Sequence, residues 1–179
     1  MRRQIIILTV LLIAAWLLAG VPHAPGPIGQ VARAEQAPPP EPLVIVVNRS
    51  NSVEGVSFSE LRRIFLGERS HWANDRRITL VMREPGEPER KTILRDVCGM
   101  TEDQLKTHFL HGLFTGEILV SPKILSTPTG VRKFIFNVPG AIGYLRLSDV
   151  DDSVKVVRVE ELLPFDKGYK LHVESHPGK

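Results

Sequence analysis

The residues of this chain best suited to chemistry lie in Ile78-Thr79-Leu80-Val81-Met82-Arg83-Glu84-Pro85-Gly86-Glu87-Pro88-Glu89-Arg90. An apolar run, a Pro-Gly turn and a proline that suits the first helical position predict a strand, a sharp turn and a helix start. Such a junction aims free backbone N–H groups and the positive end of a helix dipole at one point, which is the chemistry of anion binding. Arg83 and Gly86 fit that role. Glu87 and Glu89 oppose it, because ionised carboxylates offer only acceptors and Pro88 has no N–H at all. The pattern predicts an anion dock filled by the chain's own acidic side chains, which suit the first turn of a helix and can pair with Arg83 or Arg90.

Other side chains invite and then lose a chemical reading. His108 and His111 stand three apart and would give half of a metal site, but no Cys or third nearby His completes a tetrahedron. They read as the polar side of an amphipathic helix. His71 beside Trp72 reads as a loop-fixing pair, and His172 and His176 fall in the last residues. Ser121, Ser126 and Thr127 have no activating base nearby in sequence, and no nucleophile elbow, phosphate loop or zinc-protease helix occurs. Cys98, the one cysteine, rules out an internal disulfide and reads as a small buried hydrophobe. Neither an enzyme, a metal nor a cofactor is expected.

The elements that must position these groups are legible. Leu43–Val47 is a continuous β-branched run, as in a strand covered on both faces. Asn48 to Gly55 reads as a polar loop. Ser57 and Glu60 form a capping box for a helix bearing Phe58, Leu61, Ile64 and Phe65, with Val56 and Leu61 at the staple positions and Gly67 at its end. Ile78–Met82 is the second strand, and the helix opened by Pro88 runs to about Cys98, ended by Gly99. Thr101 and Gln104 cap another helix, with Leu105, Phe109 and Leu113 on one face. Thr127-Pro128 opens a helix carrying Val131, Phe134, Ile135 and Val138, and Ala141–Leu145 and Val154–Val159 are closing strands. Alternating strands and helices predict an α/β fold with a mixed sheet flanked by helices.

Charge is unevenly placed. The chain has 23 Lys+Arg and 20 Asp+Glu, but Arg2, Arg3 and Arg33 precede every acidic residue, so the part from Glu35 onward is formally neutral. The footprint of a nucleic-acid binder is absent. Arg62-Arg63 and Arg76-Arg77 read as solvated charges. Arg2 and Arg3, the apolar run from Ile5 to Gly20 and the Ala32-Arg33-Ala34 site predict a signal peptide over 1–34, or an uncleaved anchor as the only membrane contact. A stiff proline-rich linker over 35–42 follows, then a domain over 43–163 and a polar, mobile tail over 164–179. The domain is expected outside the cytoplasm.

Three segments carry a family resemblance: Ser59-Glu60-Leu61-Arg62-Arg63-Ile64-Phe65-Leu66-Gly67 through Trp72, the turn from Arg83 to Gly86, and Val138-Pro139-Gly140-Ala141-Ile142-Gly143-Tyr144. In order and spacing, over most of Leu43 to Val159, they resemble the second lobe of the phosphate-binding proteins of ABC phosphate importers. The resemblance implies a type II periplasmic-binding-protein architecture, of which this chain has length for about one lobe, and a non-catalytic solute-binding module. In the family the strand is followed by Arg-x-x-Gly-Ser-Gly-Thr; here Arg83 and Gly86 remain, and Glu87, Pro88 and Glu89 replace the last three. Weak binding of a small anionic solute is expected at Arg83, Gly86, Glu87 and Glu89. The alternative is an envelope adaptor with a degenerate anion site, partnered by a second copy or another envelope protein, because a lone lobe exposes the face that would meet its twin.

Overall fold

The structure, a computed structural model, describes residues 39–174. The segments expected to be a signal peptide and the start of a linker lie outside the described residues, as does His176. Strand β1 (Glu41–Asn48) is central: it pairs antiparallel with β5 (Ala141–Arg146) on one side and with β6 (Val154–Val159) and the short β7 (His172–Val173). Beyond β5 lie β3 (Thr79–Arg83) and the edge strand β4 (Lys123–Leu125), both parallel to their neighbours, and β2 (Gly55–Val56) runs parallel along β6. The sheet order is β2-β6-β1-β5-β3-β4, a mixed sheet as expected.

Helices cover both faces, which is why β1 reads as unbroken apolar sequence. Leu43, Ile45 and Val47 join one core, with Leu61, Ile64 and Phe65 of α1 (Phe58–Phe65), Ile93 of α2 (Pro88–Ile93), and Leu105 and Phe109 of α3 (Glu102–Thr115). Val44 and Val46 face the other core, with Val131 and Ile135 of α4 (Pro128–Asn137). Each fully buried aliphatic side chain contributes about 1.5–3 kcal/mol of transfer free energy. Gly143 lets α4 lie this close: an added Cβ would stand 3.1 Å from Ile135 Cδ1 and 3.2 Å from the Val81 carbonyl oxygen.

The helix starts follow their sequence signals. Ser57 and Glu60 form the reciprocal capping box, as do Thr101 and Gln104, and Thr127 accepts from the Gly130 N–H. Val56 and Leu61, the staple pair, are buried in one core. Gly67, with φ 74°, follows α1.

Four expectations are corrected. The helix begun at Pro88 does not stay α-helical to Cys98; a π-helical turn occupies Leu94–Cys98 before Gly99 ends it at φ 62°. Leu113 is exposed, and Gly112 faces the core in its place because Ile118 folds back on it, where a Cβ would meet Ile118 Cδ1 at 2.6 Å. The stretch before Thr127, in which the sequence signals only a loop, contains β4. The supposed polar tail instead seals the first core: Tyr169, Leu171 and Val173 are buried, the Tyr169 hydroxyl donates to the Leu43 carbonyl at 2.7 Å, and Leu43 N–H donates to Leu171 at 3.0 Å.

Candidate functional site

Arg83 ends β3 and is only 5% exposed. Its backbone N–H donates to the Tyr144 hydroxyl at 2.9 Å, and Nη2 donates to Glu87 Oε2 at 2.8 Å. Guanidinium atoms Nε and Nη1 are buried with no hydrogen-bond partner among the described residues. The turn that brings Glu87 back has Pro85 second and Gly86 third, with φ 92° at Gly86 and Glu87 N–H donating to the Glu84 carbonyl at 3.4 Å. A type II turn demands that positive φ. Gly86 is required for the bend rather than for close approach, since nothing lies within 4 Å of where its Cβ would be.

Glu89 behaves differently from Glu87. It is buried beneath the turn, with Oε1 accepting from Arg146 Nε and Oε2 left without a partner. Arg146 also reaches Glu41 at 3.4 Å, and Glu41 accepts from the Ser148 N–H at 2.8 Å. Burial works against the charge of Glu41, but Ser148 and Arg146 outweigh it and hold its carboxyl below the usual value. Asp149, at the edge of this cluster, is pushed up by burial and by the charges of Glu41 and Glu89. Arg90 is taken as well: Nη1 donates to the Arg83 carbonyl at 2.8 Å, and Nε donates to Glu102 at 2.9 Å.

Of the four anticipated site residues, the structure thus joins Arg83 to Glu87 through the Gly86 turn and directs Glu89 to Arg146. Glu41, Glu102 and Arg146 were not anticipated. Arg146 stands two residues after Tyr144 on one strand, so it shares that residue's face, a signal available only once the strand is taken to continue past Leu145. Burial pushes the Tyr144 hydroxyl well above its usual range, so it stays protonated.

The other chemical candidates have structural partners. His108 Nε2 donates to the Leu66 carbonyl at 2.8 Å, while His111 lines an open groove with Asp103, Gln104 and Thr107. His71 Nδ1 lies 2.9 Å from Ser70 Oγ, and the His172 ring meets Tyr169 edge-on. Among the described residues no group of three His, Cys, Asp or Glu is placed to hold a metal. Cys98 is buried, and burial pushes its thiol up to about 11. Arg62, Arg63, Arg76 and Arg77 are all exposed, as expected of solvated charges, and Arg62 Nη1 also donates to the Cys98 carbonyl.

The three resembling segments meet in space. The Phe65 and Tyr144 rings lie 5.8 Å apart, Trp72 Nε1 donates to the Gly140 carbonyl at 3.1 Å, and Tyr144 accepts from the Arg83 backbone. No family model matches the chain. Phosphate-binding protein PstS of Bacillus subtilis (strain 168) is 28% identical over 134 residues, which span 68% of this chain and 37% of that protein. The chain resembles one lobe of the phosphate-binding proteins of ABC phosphate importers. Solved structures show the same fold. A putative phosphate ABC transporter substrate-binding protein with bound phosphate from Clostridium perfringens matches at TM-score 0.62 and 22% identity, over 75% of this chain and 53% of that one. PstS from Borrelia burgdorferi matches at 0.60 and 13%, over 75% and 55%. An ABC-type phosphate transport receptor from Vibrio cholerae matches at 0.57 and 22%, over 70% and 48%. This chain therefore spans about half or less of the relatives it matches.

Proposed function

We propose that this chain is a non-catalytic, extracytoplasmic binding module of the phosphate-importer type, in which Glu87 sits where an anion would meet Arg83. The observation that carries the reading is the ion pair at 2.8 Å on a guanidinium that is otherwise buried and unpartnered. A buried arginine with two unpartnered donor nitrogens suits an oxyanion, and the carboxylate beside it satisfies one end of the fork. Within ~6 Å, that carboxylate repels each unit of charge on an incoming anion by about 1–3 kcal/mol at an effective dielectric of 20 to 40. Such a loss takes a micromolar site to roughly millimolar. The named relatives supply the solute class, a small anion such as phosphate. The leader over 1–34 and the linker over 35–42 supply the compartment.

Calorimetry with inorganic phosphate tests this. The unaltered chain is expected to bind at millimolar strength or weaker, and Glu87→Ser to bind roughly a hundredfold to a thousandfold tighter, a change of about 2.7–4.1 kcal/mol. Low-micromolar binding by the unaltered chain would refute the plug. Failure of Glu87→Ser to tighten binding would remove Arg83 as an anion residue.

A second reading, a module that docks protein rather than solute, is favoured by the exposed apolar side chains Leu110, Phe114, Leu119 and Val120. A thermal-shift screen separates the two, since a solute at 100 times its dissociation constant adds about 2.7 kcal/mol of stability.

A further inference from the structure

The two members of the Arg83–Glu87 pair are held very differently. Arg83 is fixed: it is buried at the end of β3, its backbone N–H donates to Tyr144, and its carbonyl accepts from Arg90. Its Nε and Nη1 have no hydrogen-bond partner among the described residues, so one carboxylate contact balances a buried charge. Glu87 is held only by that contact, Oε2 on Nη2 at 2.8 Å, and its side chain is 36% exposed. At the start of α2 it makes no side-chain cap hydrogen bond. Nothing lies within 4 Å of the Cβ position at Gly86, so the turn that carries Glu87 has open space beside it.

An incoming oxyanion can therefore take Nη2 from Glu87, and the buried guanidinium keeps a negative partner throughout, as a buried charge must. The displaced carboxylate is what decides the solute. It would stand unpaired next to the negative charge that replaced it. Glu84, exposed and in no ion pair among the described residues, sits on the same turn, where its carbonyl accepts the Glu87 N–H at 3.4 Å, and it adds a second negative charge. A solute that brings its own ammonium group answers both. Its oxyanion replaces Glu87 on Arg83, and its ammonium donates to the carboxylate that was displaced. We propose that this site selects a small oxyanion bearing an ammonium group, of the aminoalkylphosphonate or phosphoethanolamine kind, with Arg83 as its anion residue and Glu87 as its cation residue. Both new contacts join opposite charges through hydrogen bonds, which are the strong kind. Glu87 then acts by discrimination, repelling bare phosphate and favouring a solute whose charges are paired. The proposal rests on the reading of Arg83 as an anion residue.

Calorimetry of the full chain with two phosphonates of matched shape tests it: aminoethylphosphonate, and propylphosphonate, in which a methyl group stands where the ammonium was. The unaltered chain is expected to bind aminoethylphosphonate about tenfold more tightly than propylphosphonate or inorganic phosphate. Glu87→Gln keeps the shape of the side chain and removes its charge, and should cut that preference severalfold by weakening the first phosphonate and tightening the second. Equal affinities of the unaltered chain for the two phosphonates would overturn the proposal. So would a preference undiminished in Glu87→Gln, or an equal gain when a divalent cation is added to phosphate, since the ammonium would then have no place of its own. The phosphate affinity of Glu87→Ser separates this outcome from the anion reading. If that variant tightens phosphate while the unaltered chain treats the two phosphonates alike, Arg83 remains an anion residue and the ammonium selection falls; if neither protein binds any of these solutes, both fall.

Discussion

The segment from Phe65 to Trp72 and the turn from Arg83 to Arg90 both belong to the resemblance with phosphate-binding proteins, yet they are held together by different forces. In the first, Phe65, Leu66 and Trp72 are buried in the core, and Trp72 hydrogen-bonds to Gly140 of another resembling segment. In the second, guanidinium and carboxylate groups hold the chain, and Glu87, Pro88 and Glu89 depart from the pattern of the proteins it resembles while Arg83 is kept. Packing constrains the first set, because a core close to crystalline density tolerates little change of volume or shape. The turn is free to exchange one set of polar partners for another. The fold and the ligand are therefore recorded in separate residues, and similarity in one does not carry the other.

The contrast can be broken most forcefully at Gly140. A Cβ there would run into the Arg77 carbonyl oxygen, so Gly140→Ala is expected to cost about 3 kcal/mol in urea unfolding. A loss below about 1 kcal/mol would mean that the packed segment is as adaptable as the turn. Within the turn, the two glutamates should separate. Glu89→Ala strips a buried arginine pair of its acid and should cost about 2–3 kcal/mol by the same measurement. Glu87→Gln keeps an oxygen acceptor for Arg83 Nη2 on a side chain that is 36% exposed, and should cost less than about 1 kcal/mol. Equal costs would make Glu87 a structural residue rather than a plug.

Between these lies Tyr144→Phe, which leaves the buried Arg83 N–H without an acceptor and should cost about 1–2 kcal/mol. The smallest effect is the pH dependence of stability. The Glu41 carboxyl lies below its ordinary 4.5, so its contribution is full above that value and is lost as pH falls through the folded-state value. Asp149 acts in the opposite sense: raised above 3.8, it favours the fold when protonated and loses that contribution as pH rises through the shifted value. Glu41→Gln should therefore flatten the acid limb of a stability–pH curve, and an unchanged limb would show that the Arg146 cluster is not linked to folding.

What could be read from the sequence follows the reach of each interaction. The capping boxes at Ser57 and Thr101, the caps at Thr127 and Gly67, and the two-faced burial of β1 are encoded within a few residues, and each is present. The pairing of Glu87 with Arg83 is likewise local, four residues apart. Glu89 with Arg146, and Glu41 with both Arg146 and Ser148, join residues far apart in the chain and become neighbours only through the β1–β5 register. Leu113 went astray because α3 passes Gly112, not Leu113, beneath Ile118. Residues 169–173 went astray because two polar partners separate the apolar side chains of a short edge strand, and the surrounding Gly and Lys hide the alternation.

Strand β1 draws every one of its partners from beyond residue 140. Synthesis therefore delivers the centre of the sheet long before anything that can pair with it, and the early chain holds five adjacent aliphatic residues with no neighbouring strand. Sequence-distant pairing of this kind slows folding, because loop closure must precede the contacts that reward it. A nascent chain that stops before Ala141 lacks every strand that pairs with β1, so the middle of the sheet waits for residues 141–173.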